Sequence, residues 1–152
     1  MKTFLLKGKK PTIKWTYIPH ETYFDLSYGL PEGFSLGVSP HNPYIIVDVD
    51  RHEGKEDGFT HIPAQILEEL EKTLCYDTPS KGKHYWLKYT GGGKLMNKPS
   101  GLGIDLRTEK GYVRFYLPGD IREYMDKINE TSLEMNNWLE CLFLTKNKRK
   151  KR

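Results

Sequence analysis

Residues 44–50 read YIIVDVD, and the fold turns on how this stretch is placed. Tyr44 to Val49 is a continuous β-favouring run, bounded by Pro43 before it and by Asp50-Arg51-His52 after it. A short apolar run between such stops is the pattern of a buried central strand. Residues 51–59 then form a polar loop. On a strand, side chains two apart point to the same face. Asp48 and Asp50 therefore aim together from the end of this strand. Two carboxylates with oxygen-only surroundings suit Mg2+ or Mn2+, which favour hard ligands. An Asp-x-Asp at a strand end also serves as a loop or capping feature, so the pair needs partners from elsewhere in the chain.

Working outward, Ile62, Ile66, Leu67, Leu70 and Leu74 follow helical spacing, with Pro63 tolerated in the first turn. His84 to Tyr89 is a strand candidate, and the three glycines within Thr90–Lys94 mark a loop. Gly103–Arg107 and Tyr112–Leu117 read as two strands around a Thr108-Glu109-Lys110-Gly111 turn. Asp120 with Glu123 and Thr131 with Glu134 are capping-box patterns. They open helices to about Asn129 and about Phe143, with Met125, Ile128, Met135, Trp138, Leu139 and Leu142 facing the core. On the N-terminal side, residues 1–39 are rich in Gly, Pro and aromatics, with Thr12–Tyr17 a possible short strand. Clustered strands followed by helices predict an α+β domain rather than a doubly wound sheet.

The chain has 152 residues, enough for one domain with a sizeable core. Its 37% hydrophobic content and ten tyrosines exclude a disordered chain. No apolar run is long enough to span a membrane, and the apolar stretch within Met1 to Lys7 is too short for a signal peptide, so neither is expected. Cys75 and Cys141 lack metal-ligand neighbours and sit in helix-like apolar patterns, so reduced core cysteines in a cytoplasmic protein are expected. The net charge of +4 is misleading, because residues 146–152 hold six of the 24 basic residues and no acidic one. Without them, 18 basic residues stand against 20 acidic ones. The expected organisation is a single domain over residues 1–145 and a basic, disordered tail over 146–152. That tail either contacts nucleic-acid phosphates or simply aids solubility.

Two further stretches supply partners for the aspartates. In TPSKGKHYWLKY, residues 78–89, Ser80 and Gly82 lie in a turn whose backbone N–H groups can cradle an anion. Lys83 and His84 follow at the start of a strand and are candidate phosphate-binding residues; a surface His on a hairpin is the other reading. In GLGIDLRTEKGYVRFYLPG, residues 101–119, Asp105 lies between Ile104 and Leu106. A carboxylate among buried neighbours needs a partner. Arg107, on the same face, supplies one as a surface pair, or else reaches for phosphate while Asp105 holds metal.

The order of these motifs, Asp-x-Asp, Ser-x-Gly-x-His, then Gly-Ile-Asp-Leu-Arg, resembles that of the prim-pol (primase–polymerase) N-terminal domain of the archaeo-eukaryotic primase superfamily. This is the type carried by phages, plasmids and other mobile elements. The resemblance runs from about Lys10 to Leu117. KKPTIKW is similar to the family's Lys-x-Pro…Trp opening, GFSLGVSPHNPYIIVDVDR to its strand into the first acidic motif, and DTPSKGKHYWLKY to its Thr-Pro-Ser-Gly-Gly-x-His segment. GLGIDLRTEKGYV is similar to its Gly-Ile-Asp-x-Arg…Gly-Tyr-Val segment. Lys81 departs from the pattern, standing where the family has the first of two glycines.

The resemblance implies a prim-pol-like fold, with an RRM-like β-sheet palm, an N-terminal α/β unit and C-terminal helices. It implies that Asp48, Asp50 and Asp105 bind Mg2+ or Mn2+ and carry catalysis. Ser80 and His84, with Lys83, would bind the nucleotide, and Arg107 would assist beside it. The activity implied is metal-dependent, template-directed nucleotidyl transfer by a two-metal mechanism: a small stand-alone DNA primase/polymerase acting in replication of a phage or mobile element. Its partners would be single-stranded DNA, NTP or dNTP substrates and a replicative helicase; Trp86 or Tyr112 could stack on the template, although a place in the core is the favoured reading for both rings. Two other readings remain at this point. One is a non-catalytic replication accessory protein binding single-stranded DNA or a helicase; the other is a metal-dependent nuclease.

Overall fold

A computed structural model describes residues 1–51, 54 and 56–145 of the chain. Ten strands are present among these residues: β1 (Lys2–Lys7), β2 (Lys10–Pro11), β3 (Phe34–Ser39), β4 (Tyr44–Val49), β5 (Cys75–Asp77), β6 (Lys83–Lys88), β7 (Lys98–Pro99), β8 (Ile104–Arg107), β9 (Val113–Phe115) and β10 (Asn129–Glu130). Two α-helices join them, α1 (Ala64–Leu70) and α2 (Leu133–Phe143). The strands form two sheets, β2-β1-β3-β9 and β10-β6-β4-β8-β7, with β5 also paired to β6. All pairings are antiparallel except β10 with β6. The α+β class expected from the sequence is observed.

The YIIVDVD stretch is the central strand, β4, flanked by β6 and β8. Ile45, Val47 and Val49 face α1 and α2 and form one core cluster with Tyr85, Leu87, Ile104, Leu106, Ile66, Leu70, Met135, Leu139 and Phe143. Ile46 points the other way, into a second cluster with Trp86, Leu36, Val38, Val113 and Phe115. That second cluster lies between the two sheets. The apolar run on β4 is thus explained by cover on both faces. Each Ile or Val so buried contributes roughly 1.5–3 kcal/mol relative to exposure.

Several expectations are corrected. The N-terminal unit is an antiparallel sheet with a 3-10 turn at Trp15–Tyr17, and no α-helix precedes Ala64 among the described residues. The expected Thr12–Tyr17 strand is absent: Trp15–Tyr17 is the 3-10 turn, and the short strand β2 lies just before this stretch, at Lys10–Pro11; β1 had no clear alternating pattern to reveal it. Gly103–Arg107 and Tyr112–Leu117 do not pair with each other: β8 joins β4 and β7, whereas β9 joins β3 in the other sheet. The turn between them is a crossing from one sheet to the other.

The Asp120 segment is a 3-10 stretch, Ile121–Lys127, with Ile121 its one buried residue and Asp120 accepting from the Arg122 N–H. Asn129–Glu130 then extends to pair along β6, which ends any helix. The cap of α2 is Ser132, whose hydroxyl accepts from the Met135 N–H, while Thr131 donates to Asn136 Oδ1. Both cysteines are free, but Cys75 is half-buried on a strand and Cys141 is exposed, so neither is a fully buried helical core residue. No helix among the described residues is long and apolar enough to cross a membrane. The basic segment 146–152 lies outside the described residues.

Candidate active site

Sheet register brings the three motifs into one row. Asp48 of β4 pairs directly with His84 of β6 on one side and with Asp105 of β8 on the other. Residues directly opposite on antiparallel strands have Cα atoms about 4.5–5.5 Å apart. Alternation on each strand follows from the core: Val47 and Val49, Tyr85 and Leu87, Ile104 and Leu106 all point toward the helices. Asp48, His84 and Asp105 therefore point the opposite way, toward the β1–β3–β9 sheet. The core packing and the polar row are set by the same period of two.

His84 is buried, with its Nε2 3.4 Å from Asp48 Oδ1 and its Nδ1 3.2 Å from Tyr76 Oη. The Tyr76 oxygen also accepts from Trp86 Nε1 at 3.1 Å. The facing carboxylate favours a proton on Nε2, which leaves Nδ1 to accept from the Tyr76 hydroxyl. Burial raises the Tyr76 hydroxyl pKa well above its ordinary value, so it remains a donor. Asp105 is 3.5 Å from Arg107 Nη2. Burial pushes the Asp105 carboxyl pKa up; Arg107 opposes this and the Asp48 charge adds to it. Two partly buried carboxylates side by side form a site whose negative charge favours a cation.

The end of β4 is fixed by backbone bonds. The Asp50 N–H donates to Gly103 O at 2.8 Å, and the Gly58 N–H donates to Asp50 O at 2.9 Å. Gly58 and Gly103 pack against each other so closely that a Cβ on Gly58 would strike the Gly103 carbonyl. The Ser-x-Gly-x-His turn is fixed in the same manner. The Thr78 N–H donates to Gly82 O at 2.9 Å and the Lys81 N–H to Thr78 O at 3.0 Å. A Cβ on Gly82 would collide with the Val49 carbonyl, so the glycine lets the turn press onto the end of β4. Lys81 has φ of 65°, the left-handed region that favours glycine.

A cavity of about 850 Å3 opens over this row, lined by Asp48, Asp50, Ser80, His84 and Arg107. Asp105 adjoins it through Asp48 and Arg107. The opposite wall comes from segments with no acidic motif: Lys9 and Trp15, then Lys110, Tyr112, Arg114 and Tyr116. Arg107 Nε is buried without a hydrogen-bond partner. The cavity therefore pairs an acidic floor with cationic walls, an arrangement suited to a polyanion held beside a divalent cation.

Two sequence candidates part from this group. Lys83 lies on the opposite face of β6, where its Nζ pairs with Glu71 Oε2 at 3.0 Å. Its i–1 relation to His84 is what turns it away. Trp86 is fully buried in the core between the sheets, so it cannot stack on a ligand. Tyr112, by contrast, lines the cavity, with its ring against Phe4 and Trp15 and its hydroxyl donating to Lys9 O. Lys9, Lys110 and Arg114 were not singled out from sequence; scattered cations in turns and on an exposed strand face carry no local pattern.

The three aspartate carboxylates do not converge on one point. Among the described residues, the three-residue group of potential ligands with all ligand atoms within 4.8 Å of one another is His20, His41 and Glu109. Asp48 turns to His84 and Asp105 to Arg107, as expected for neighbouring like charges. Their donor set nevertheless fits a hard divalent ion: carboxylate oxygens on adjacent strand positions, with backbones fixed by sheet register.

A family model described as bifunctional DNA primase/polymerase, N-terminal, matches residues 7–135. The chain belongs to this prim-pol family. The matched span contains every residue of the row and every wall residue named above. No curated protein matches the chain. The family carries primase and polymerase activity in general, a nucleotidyltransferase class that acts on DNA and nucleotides.

Proposed function

We propose that this prim-pol domain performs metal-dependent, template-directed nucleotidyl transfer on single-stranded DNA. The observation that carries the reading is the in-register row His84–Asp48–Asp105 at the floor of a cavity whose walls are basic. Asp48, Asp50 and Asp105 would hold Mg2+ or Mn2+. Bound there, such ions would activate the attacking 3′-hydroxyl and neutralise charge at the reacting phosphate.

The chain's own groups supply the rest. His84, oriented by Tyr76, and the Ser80 hydroxyl contact the nucleotide phosphates. Arg107, with a buried Nε that lacks a partner, offers a planar donor set for phosphate oxygens. Tyr112 and Trp15 present ring surface on which a template base or the nucleotide base can stack. Lys9, Lys110 and Arg114 attract the backbone of the strand. Lys83 has no direct part, because it faces the helices.

The test is nucleotide incorporation on single-stranded DNA with Mg2+ or Mn2+, with and without a primer, beside an Asp48→Ala/Asp50→Ala control. Incorporation abolished in the control supports the assignment, and its primer dependence separates a primase from a polymerase that extends. Absence of incorporation under every condition, with single-stranded DNA still bound, would replace the reading with that of a non-catalytic accessory protein.

A further inference from the structure

We propose that His20, His41 and Glu109 form a second metal site, built for Zn2+, that ties three separate chain segments together behind the wall of the cavity. His20 lies in the segment between the Trp15–Tyr17 turn and β3, His41 in the short link from β3 to β4, and Glu109 in the crossing from β8 to β9. All three ligand atoms lie within 4.8 Å of one another. His41 Nδ1 is 3.3 Å from Glu109 Oε2. In a tetrahedral zinc site with bonds of about 2.0–2.1 Å, neighbouring ligand atoms stand roughly 3.3 Å apart. The His20 and His41 rings stack, with centroids 3.7 Å apart and planes inclined by 19°.

Imidazole binds a metal through a lone pair in the ring plane, so one of the two stacked rings must turn for both to share an ion. The three backbones are also anchored independently of any ion. Beside His20, the Glu21 N–H donates to Met1 O at 2.7 Å, and the Glu21 carboxylate pairs with the N-terminal ammonium at 2.8 Å. The Tyr44 N–H donates to His41 O at 2.8 Å. Ser39 Oγ donates to Gly111 O at 2.6 Å and contacts Glu109 O at 3.4 Å.

The donor set decides the metal. Imidazole nitrogen with one carboxylate suits Zn2+, whereas Mg2+ and Mn2+ prefer all-oxygen surroundings such as the aspartate row. Three protein ligands leave a fourth position for water. The site's consequence is structural: Glu109 immediately precedes Lys110 and Gly111, which line the cavity. Zn2+ bound there would fix the crossing against the N-terminal segment. This inference does not depend on the catalytic reading above.

The test uses the untagged full chain and Zn2+ alone, with equilibrium dialysis, metal analysis and thermal melts. The expected result is a single Zn2+ per chain that persists in Asp48→Asn/Asp105→Asn and is lost in His20→Ala and in His41→Ala. At Zn2+ about a hundred times Kd, Tm should rise by roughly 5–10 °C, and this rise should vanish in Glu109→Gln. His20 and Glu109 are exposed, so their variants should melt like the parent in EDTA. The proposal is overturned if no Zn2+ binds, leaving a plain His41–Glu109 ion pair. It is equally overturned if binding survives all three substitutions, or is lost only with the aspartates.

Discussion

Asp48 and Asp105 are direct cross-strand partners on β4 and β8, two carboxylates on one sheet face with 15% and 18% of their side chains exposed. Close like charges raise the energy of the folded state without a cation. Asp105→Asn should therefore melt higher than the parent in EDTA, by on the order of 1 kcal/mol. The same variant should lose incorporation by about a hundredfold or more. Added Mn2+ should raise the parent's Tm and leave that of the variant nearly unchanged. Thermal melts with and without Mn2+, beside a primer-extension assay, check all three outcomes.

Gly82 and Ser80 share one turn but should fail differently. Gly82→Ala drives a Cβ into the Val49 carbonyl and within 3.1 Å of Thr78 Oγ1. It should destabilise the fold by about 1–3 kcal/mol, read from urea unfolding. Ser80→Ala removes a hydroxyl on the cavity lining that makes a long 3.4 Å approach to Thr78 Oγ1. It should leave the unfolding midpoint in place and raise KM for the nucleotide.

Lys81 holds a left-handed backbone at φ of 65°, where a side chain costs about 1–2 kcal/mol. Lys81→Gly removes that cost but adds freedom to the unfolded chain worth roughly 0.5–1 kcal/mol. The net change should be neutral or slightly stabilising. Lys81→Val, β-branched at the same φ, should be clearly destabilising. Comparison of the two by urea unfolding isolates backbone strain from the lost charge.

Lys83 provides the complementary control. Its ammonium pairs with Glu71, which also accepts from Tyr85 Oη at 2.5 Å. Lys83→Ala should leave nucleotide KM unchanged, whereas Arg107→Ala should raise it. Burial pushes the Glu71 pKa up, but the bonds from Tyr85 and Lys83 outweigh it, so the carboxyl titrates below its ordinary value. The folded pKa being the lower, this cluster stabilises the protein above the ordinary Glu pKa of 4.5 and loses that stabilisation as pH falls through the depressed value. Glu71→Gln should accordingly flatten the acid limb of a stability–pH curve.

The legible parts of this molecule were those with a local period. The apolar run of β4, the strand at His84, the Asp105 strand and the last helix follow directly from pattern, and the motif order pointed to the family that the match to residues 7–135 confirms. What escaped was non-local. Nothing in Val113–Phe115 says that it leaves β8 for the other sheet, because a hairpin and a crossing use the same turn residues. Lys83 was placed with His84 by adjacency, although adjacency on a strand means opposite faces. The basic wall draws Lys9, Lys110 and Arg114 from separate segments, and only sheet topology brings them together.

Mn2+ binding followed by electron paramagnetic resonance tests the central claim most directly, that the aspartate row holds the catalytic ion. Parent, Asp48→Asn, Asp105→Asn and His41→Ala chains should be titrated side by side. Bound Mn2+ should be lost in both aspartate variants and retained in His41→Ala. Equal binding in the parent and in both aspartate variants would contradict the account, and the row would be a feature of the sheet rather than a metal site.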